Sequence, residues 1–339
     1  MSDNFLSDKK ILFFGIGFYD YEEKIIEQIK KFGGEVTFYL DQPKYLQIGI
    51  VQRIGNFFSI NFDEIRAKYQ NEILKELKNN NFDYIFVLKG EYLQTFFIKL
   101  LKEKFSAAQF IMYQWDSLNR VPNAFELMPY FDRVLSFDRQ DCEQLPQLQF
   151  RPLFFRNEPV YNTIPLKYDL VFIGWLHADR LSASIAIQKI CNTYGLKSFF
   201  YLFTGLTTYF QNLIRGTAKN LSFKSLNYKQ VNDYINSSKV VLDIPHPLQS
   251  GLTMRTIEAI GSKKKLITTN FDIVNYDFYN SQNILLIDLK NLKIDKSFFE
   301  TTYVELPLDI YKKYTLEEWV DDIFYLNKKC NDYKIKFEE

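Results

Sequence analysis

The chain is poor in cysteine. Its three, Cys142, Cys191 and Cys330, are far apart and odd in number, so neither a disulfide framework nor a zinc spacing can be read from them. That usage points to reduced thiols and a cytoplasmic protein. A surplus of either charge is missing too: 42 Lys and Arg against 41 Asp and Glu leave a net charge of +1. Near-neutrality argues against nucleic acid as a main partner. No apolar run approaches the roughly 20 residues that cross a bilayer. The opening MSDNFLSDKKILFFGIG does not have the pattern of a secretion signal, because its apolar run is short and acidic residues follow it. The expectation is a cytoplasmic chain with peripheral membrane contact at most.

What is present suits a globular α/β protein. The 339 residues are 47% hydrophobic and 24% charged, which fits two domains of ordinary size. With 33 Phe and 23 Tyr, large cores can be filled and aromatic surface left over for a sugar or lipid. Apolar runs bounded by turn residues give strands at Ile11–Phe14, Glu35–Leu40, Tyr84–Leu88, Gln109–Gln114 and Arg133–Phe137. Amphipathic spacing gives helices at Tyr21–Phe32, Phe62–Asn79 and Leu93–Lys104. Residues 42–62 have little helical period and read as a loop or short helix. Gly15 and Gly17 resemble the start of a dinucleotide fingerprint, but Asp20 stands where a third glycine belongs. An acid at that turn would repel a pyrophosphate, so the turn reads as an acceptor-side loop.

In open parallel sheets, ligands bind beyond the carboxyl ends of the strands. Asp20, Glu91, Asp116 and Asp138 each follow such an end; each could equally be a helix cap or a loop ion pair. Asp116 stands out because neighbouring Trp115 could partly desolvate it and offer a flat face to a sugar ring.

Arg151–Pro165 holds three prolines and reads as a linker. A second β-loop-α-β unit follows, with strand Tyr168–Ile173, a loop from Gly174 to Arg180, helix Ser182–Tyr194 and strand Ser198–Leu202. Gly174 permits close backbone approach. His177 could be a base, a phosphate contact or a plain loop residue. Thr204–Lys224 is basic and aromatic; it could touch an anionic membrane surface or form a solvated helix face.

The stretch Val240–Asn270 has the densest signals. It reads as strand Val240–Ile244, a loop carrying His246 between two prolines, a helix opening at Ser250-Gly251 and capped by Ser250, and strand Lys265–Thr269. The helix start, with its free N–H groups and dipole, suits a diphosphate. Glu258 lies about two turns beyond Gly251, where a carboxylate could accept both ribose hydroxyls. Arg255 could pair with Glu258 or reach a phosphate.

This stretch, with FFGIGFYDYEEKI, FVLKGE, MYQWDSL, FDRVLSFDRQDC, FIGWLHADR and YTLEEW in order, resembles the GT-B glycosyltransferases that build bacterial lipopolysaccharide and capsule. The resemblance implies two Rossmann-like domains with mainly parallel sheets facing a central cleft. The acceptor-side domain would span residues 1–155, the donor domain residues 156–315, and a helix in 316–339 would return to the first domain. It implies a nucleotide-sugar co-substrate, no other cofactor, and a glycan or lipid-linked acceptor at the cytoplasmic face of the inner membrane. It assigns the leaving phosphates to Arg180. Donor contacts would come from Gly174, His177, His246, Ser250, Gly251, Thr253, Arg255 and Glu258, and acceptor contacts from Asp20, Glu91 and Trp115, with Asp116 as base. No Asp-x-Asp triplet is present, so metal independence is expected. Two alternatives stay open, a nucleotide-sugar epimerase and a non-catalytic binding subunit.

Overall fold

A computed structural model describes residues 4–17, 20–156, 164–177, 179–247 and 249–324. The chain divides into two compact units. The first ends at Pro152 and takes the chain back at Val320; the second begins at Leu153 and runs to Trp319.

The first unit opens with β1 (Lys10–Gly15), α1 (Tyr21–Lys31), β2 (Glu35–Leu40), α2 (Gly49–Phe57) and α3 (Phe62–Glu76). It continues through β3 (Tyr84–Leu88), α4 (Thr95–Lys104), β4 (Gln109–Gln114), α5 (Ala124–Leu127), β5 (Arg133–Ser136), α6 (Arg139–Gln144) and β6 (Leu148–Phe150). Its six strands lie in the order β2-β1-β3-β4-β5-β6, every neighbouring pair parallel. Parallel strands need crossovers, and the helices supply them. The central strands β1, β3 and β4 are mostly apolar because both faces are covered: Phe13, Phe14, Phe86 and Phe110 have no exposed surface.

The second unit repeats the plan. It has β7 (Tyr168–Trp175), α7 (Arg180–Thr193), β8 (Ser198–Phe203), α8 (Leu206–Ile214), β9 (Leu221–Ser222), α9 (Tyr228–Asn236) and β10 (Ser238–Asp243). Then come α10 (Met254–Gly261), β11 (Lys265–Thr268), β12 (Ile284–Leu286), α11 (Ser297–Glu300), α12 (Leu308–Lys313) and α13 (Leu316–Phe324). Its sheet runs β12-β11-β10-β7-β8-β9, again all parallel.

Residues 42–62, expected to be a loop or a short helix, contain the nine-residue helix α2. One local expectation needs correction. The helix after β10 opens at Met254, not at Ser250. Thr253 is its N-cap, its side chain accepting from the Thr256 N–H, while the Ser250 carbonyl is held at 3.0 Å by the Asn270 amide. Of the expected linker, residues 157–163 lie outside the described residues. The same holds for residues 325–329 of the last expected helix.

Candidate active site

In an α/β sheet the binding crevice opens where strand order reverses. In the second sheet that point lies between β7 and β10. Most of the residues expected to bind a donor meet there. Gly174 is next to last in β7, and a Cβ at this position would lie 3.0 Å from an Arg180 guanidinium nitrogen, so a larger residue would press the arginine from its place. Arg180 opens α7 and turns back over the strand ends. Its Nε donates to the Ile244 carbonyl at 2.7 Å and a terminal nitrogen donates to the Trp175 carbonyl at 2.9 Å. Burial pushes its pKa down to about 10; the Asp243 carboxylate partly opposes this, and the Arg255 charge adds to it. The rings of His177 and His246, one from each loop, lie 4.8 Å apart.

Asp243, the last residue of β10, ties α10 to the sheet. One of its oxygens accepts the hydroxyls of Thr253 at 2.7 Å and Thr256 at 2.9 Å. Thr253 therefore caps the helix through its hydroxyl oxygen while donating its proton to Asp243. One turn on, Arg255 and Glu258 form an ion pair at 2.9 Å, with Glu258 buried. The Arg255 Nε is buried without a hydrogen-bond partner among the described residues. Gly251 is buried beside this helix start, its carbonyl accepting from Gln249 at 3.2 Å.

The first sheet reverses between β1 and β3. After β1, the N–H groups of Ile16 and Gly17 both donate to one Glu22 oxygen, at 3.0 and 2.8 Å. The protein's own carboxylate thus occupies the place a phosphate takes in a dinucleotide fold. The acid that closes this turn is Glu22; Asp20 stands at the N-cap of α1. After β3 the backbone of Lys89 and Gly90 takes two successive positive φ values, 66° and 68°. For lysine this is a strained conformation. It aims the ammonium at Glu91 (2.6 Å) and at one Asp116 oxygen (2.9 Å), and Arg120 holds the other Asp116 oxygen at 2.5 Å. Burial works against the Lys89 charge, but Asp116 and Glu91 outweigh it and raise its pKa.

These contacts alter the reading of the acceptor-side residues. Both Asp116 oxygens already accept from a cation, so a substrate hydroxyl would share the carboxylate with Lys89 and Arg120. Trp115 is buried and edge-on to Tyr21 and Tyr113, so its ring fills the unit's interior and presents no open face to a sugar. Asp138 caps α6 and accepts the Ser117 hydroxyl.

Two acids absent from the sequence reading belong beside these sites. Asp243 is one, signalled by a lone carboxylate in the apolar run VVLDI. The other is Asp41, directly after β2 and 1% exposed. One oxygen accepts the Tyr92 N–H at 3.3 Å and the other has no partner. Burial, helped by nearby Glu91 and opposed by the Tyr92 bond and Lys89, raises its pKa to about 7.

No family model and no curated protein sequence matches this chain. Solved structures do. The trehalose-phosphate synthase (UDP-forming) of Burkholderia xenovorans superposes with a TM-score of 0.56 at 11% identity, over 93% of this chain and 98% of its own. A glycosyltransferase of avilamycin A biosynthesis gives 0.55 at 11%, over 93% and 95%. The fold is GT-B. A UDP-GlcNAc 2-epimerase of Methanocaldococcus jannaschii has it as well, with 0.54 at 10% identity over 93% and 99%. Identities this low establish the GT-B architecture and leave the chemistry to be argued from the site.

Proposed function

We propose that the protein is a nucleotide-sugar-dependent glycosyltransferase of the hexosyltransferase type, with the donor on the second unit and the acceptor on the first. The observation that carries this reading is the pair of guanidinium groups at the β7–β10 reversal. Among the described residues Arg180 hydrogen-bonds to the neutral carbonyls of Ile244 and Trp175, close enough to Arg255 to feel its charge, and the Arg255 Nε–H finds no partner. Two neighbouring cations that are not fully paired disfavour each other, and a diphosphate between them would relieve that. As the sugar leaves, negative charge grows on the diphosphate. Fixed cations there stabilise the transition state more than the ground state. Glu258 sits one turn further along α10, where it can accept ribose hydroxyls beside Arg255. Nothing in this reading calls for a metal or a further cofactor. The sequence resemblance supports a lipopolysaccharide, capsular or other surface glycan, free or lipid-linked, as acceptor.

A nucleotide-sugar epimerase is the second reading, since the same fold occurs in such an enzyme. One experiment separates them. The protein is screened by thermal shift against nucleoside diphosphates and their sugars, and a stabilising sugar nucleotide is then incubated with and without glycan acceptors. A ligand at about 100 times its Kd adds roughly 2.7 kcal/mol, a readable shift. A transferase releases nucleoside diphosphate faster when its acceptor is present. An epimerase changes the sugar and releases none. A protein stabilised by no nucleotide would end both readings.

A further inference from the structure

Helices on a globular protein turn their apolar stripe inward. Two here do the opposite. In α2 and its first following residue, Ile50, Ile54, Phe57 and Phe58 face solvent; in α8, Leu206, Phe210, Leu213 and Ile214 do. All eight side chains are between 50% and 87% exposed. The spacing is the same in both, i, i+4, i+7 and i+8, a single stripe on each helix. None of the residues of α8 is buried. The inner face of α2 is reduced to Gly55, so close to Phe62 that a Cβ would lie 2.2 Å from its ring. The two helices also occupy equivalent places, each following the second strand of its unit. One outward stripe could be an accident of the surface. The same stripe at the same place in both units is a pattern that burial does not explain.

The charges around each stripe say what covers it. No Asp or Glu occurs between Asp41 and Asp63, and none between Asp179 and Asp233, in a chain that is otherwise balanced. Exposed cations flank each stripe: Lys44 and Arg53 beside α2, and Arg215, Lys219 and Lys224 beside α8. Tyr45, Ile48 and Ile60 widen the first patch and Phe223 the second. Apolar residues on one side with cations and no acids around them is the composition of a helix lying in an anionic lipid interface. A second copy of the chain is a poor match, because an isologous contact would bring like-charged, acid-free patches together. Both helices are nine residues long, too short to span a bilayer.

We infer that α2 and α8 are interfacial helices, each of which docks its unit onto an anionic membrane surface. This stands whether or not the β7–β10 site transfers a sugar. If it does, a membrane-docked enzyme fits an acceptor carried on a lipid.

The test is co-sedimentation of the full chain with vesicles of phosphatidylcholine alone and of equal parts phosphatidylcholine and phosphatidylglycerol. The protein should bind the phosphatidylglycerol vesicles preferentially and release as salt rises. Phe57→Ser with Phe58→Ser, and separately Phe210→Ser with Ile214→Ser, should each weaken partitioning by roughly tenfold. Thermal unfolding should be unchanged, because these side chains are exposed. Arg53→Glu with Arg215→Glu, also at the surface, should lower binding only to the anionic vesicles, and it decides the matter should an apolar variant fold poorly. Wild-type protein left in the supernatant would overturn the inference. So would equal binding to both vesicle types, or variants that bind like the wild type. Loss of a self-associated species in the variants without vesicle binding would assign the stripes to a protein contact instead.

Discussion

Glu258 and Asp41 are both buried carboxylates with different neighbours. Glu258 is paired with Arg255 at 2.9 Å. If it also accepts ribose hydroxyls, Glu258→Gln turns charge-assisted bonds into neutral ones and should weaken nucleotide binding by about 1–3 kcal/mol. Calorimetric titration measures this. Unchanged affinity in a folded variant would confine Glu258 to orienting Arg255. Among the described residues no cation forms an ion pair with Asp41, and burial outweighs the pull of Lys89 and Arg66 and favours its neutral form. Folded protein keeps that proton up to about pH 7, whereas the unfolded chain loses it near the ordinary value of 3.8. The folded state thus binds more protons across that window. The stabilisation is full below the window and is lost as pH rises through it. Asp141, raised to about 6 by its own burial, acts in the same direction. Asp41→Asn removes the Asp41 part of this dependence. Between pH 5 and pH 8 the variant should gain on the wild type by about 1–4 kcal/mol, read from the exchange of the most protected amides of β1, β2 and β3, which reports the first unit. An equal difference at both pH values would mean that Asp41 does not titrate in this range.

At the scale of elements, the sheets were legible and several helices were not, for physical reasons. Parallel strands are buried on both faces and appear as unbroken apolar runs. Tyr84–Leu88 and Gln109–Gln114 accordingly have the same limits in sequence and structure; so does the edge strand Glu35–Leu40, which is only half-buried. The α2 segment was hard to read because Gly49, Gly55 and Asn56 are poor helix formers and weaken the signal of the Ile50, Ile54, Phe57 and Phe58 spacing. The start of α10 misled because Ser250 and Gly251 are both good capping residues, while the real cap depends on a bond from Thr253 to Asp243, ten positions back in the chain. Such a partner is tertiary and leaves no local trace. The same applies to the Arg180 bond to Ile244 and to the cations that occupy Asp116. The gathering of Gly174, Arg180, Arg255 and Glu258 could be anticipated, but not what each would touch. The end of α10 gives a test of packing against propensity. Alanine is favoured over glycine inside a helix by about 1 kcal/mol, yet a Cβ on Gly261 would lie 2.3 Å from the ring of Phe155. Overpacking costs about 1–3 kcal/mol, and the Gly261 carbonyl also accepts the Tyr311 hydroxyl at 2.8 Å. Gly261→Ala should therefore lower the melting temperature. A rise would show that Phe155 moves aside at little cost.

At the scale of the whole molecule, the chain passes between its units twice among the described residues, after Pro152 and again after Trp319. The second passage brings the end of α13 into the first unit, and a buried charge secures it there. Arg151 is fully buried and its Nε lies 2.7 Å from an Asp322 oxygen. Arg133 donates to the carbonyls of Asp322 and Ile323 at 2.7 and 3.0 Å, and Phe324 packs edge-on against Tyr84 and Phe86. Removing one partner of a buried pair costs about 3–5 kcal/mol, because the other charge is stranded. That is a large share of the roughly 5–15 kcal/mol that holds a domain folded. Asp322→Ala should therefore destabilise the first unit severely, and Asp322→Asn less, since the amide can still accept a hydrogen bond from Arg151. A single unfolding midpoint is a poor readout for a chain of two units, so the measurement is amide hydrogen exchange resolved by segment. In Asp322→Ala the amides of β4, β5 and β6 should lose protection while those of β7 and β10 keep theirs. Uniform loss in both units would mean that they unfold as one body, and no loss would mean that Arg151 finds another partner once the carboxylate is gone.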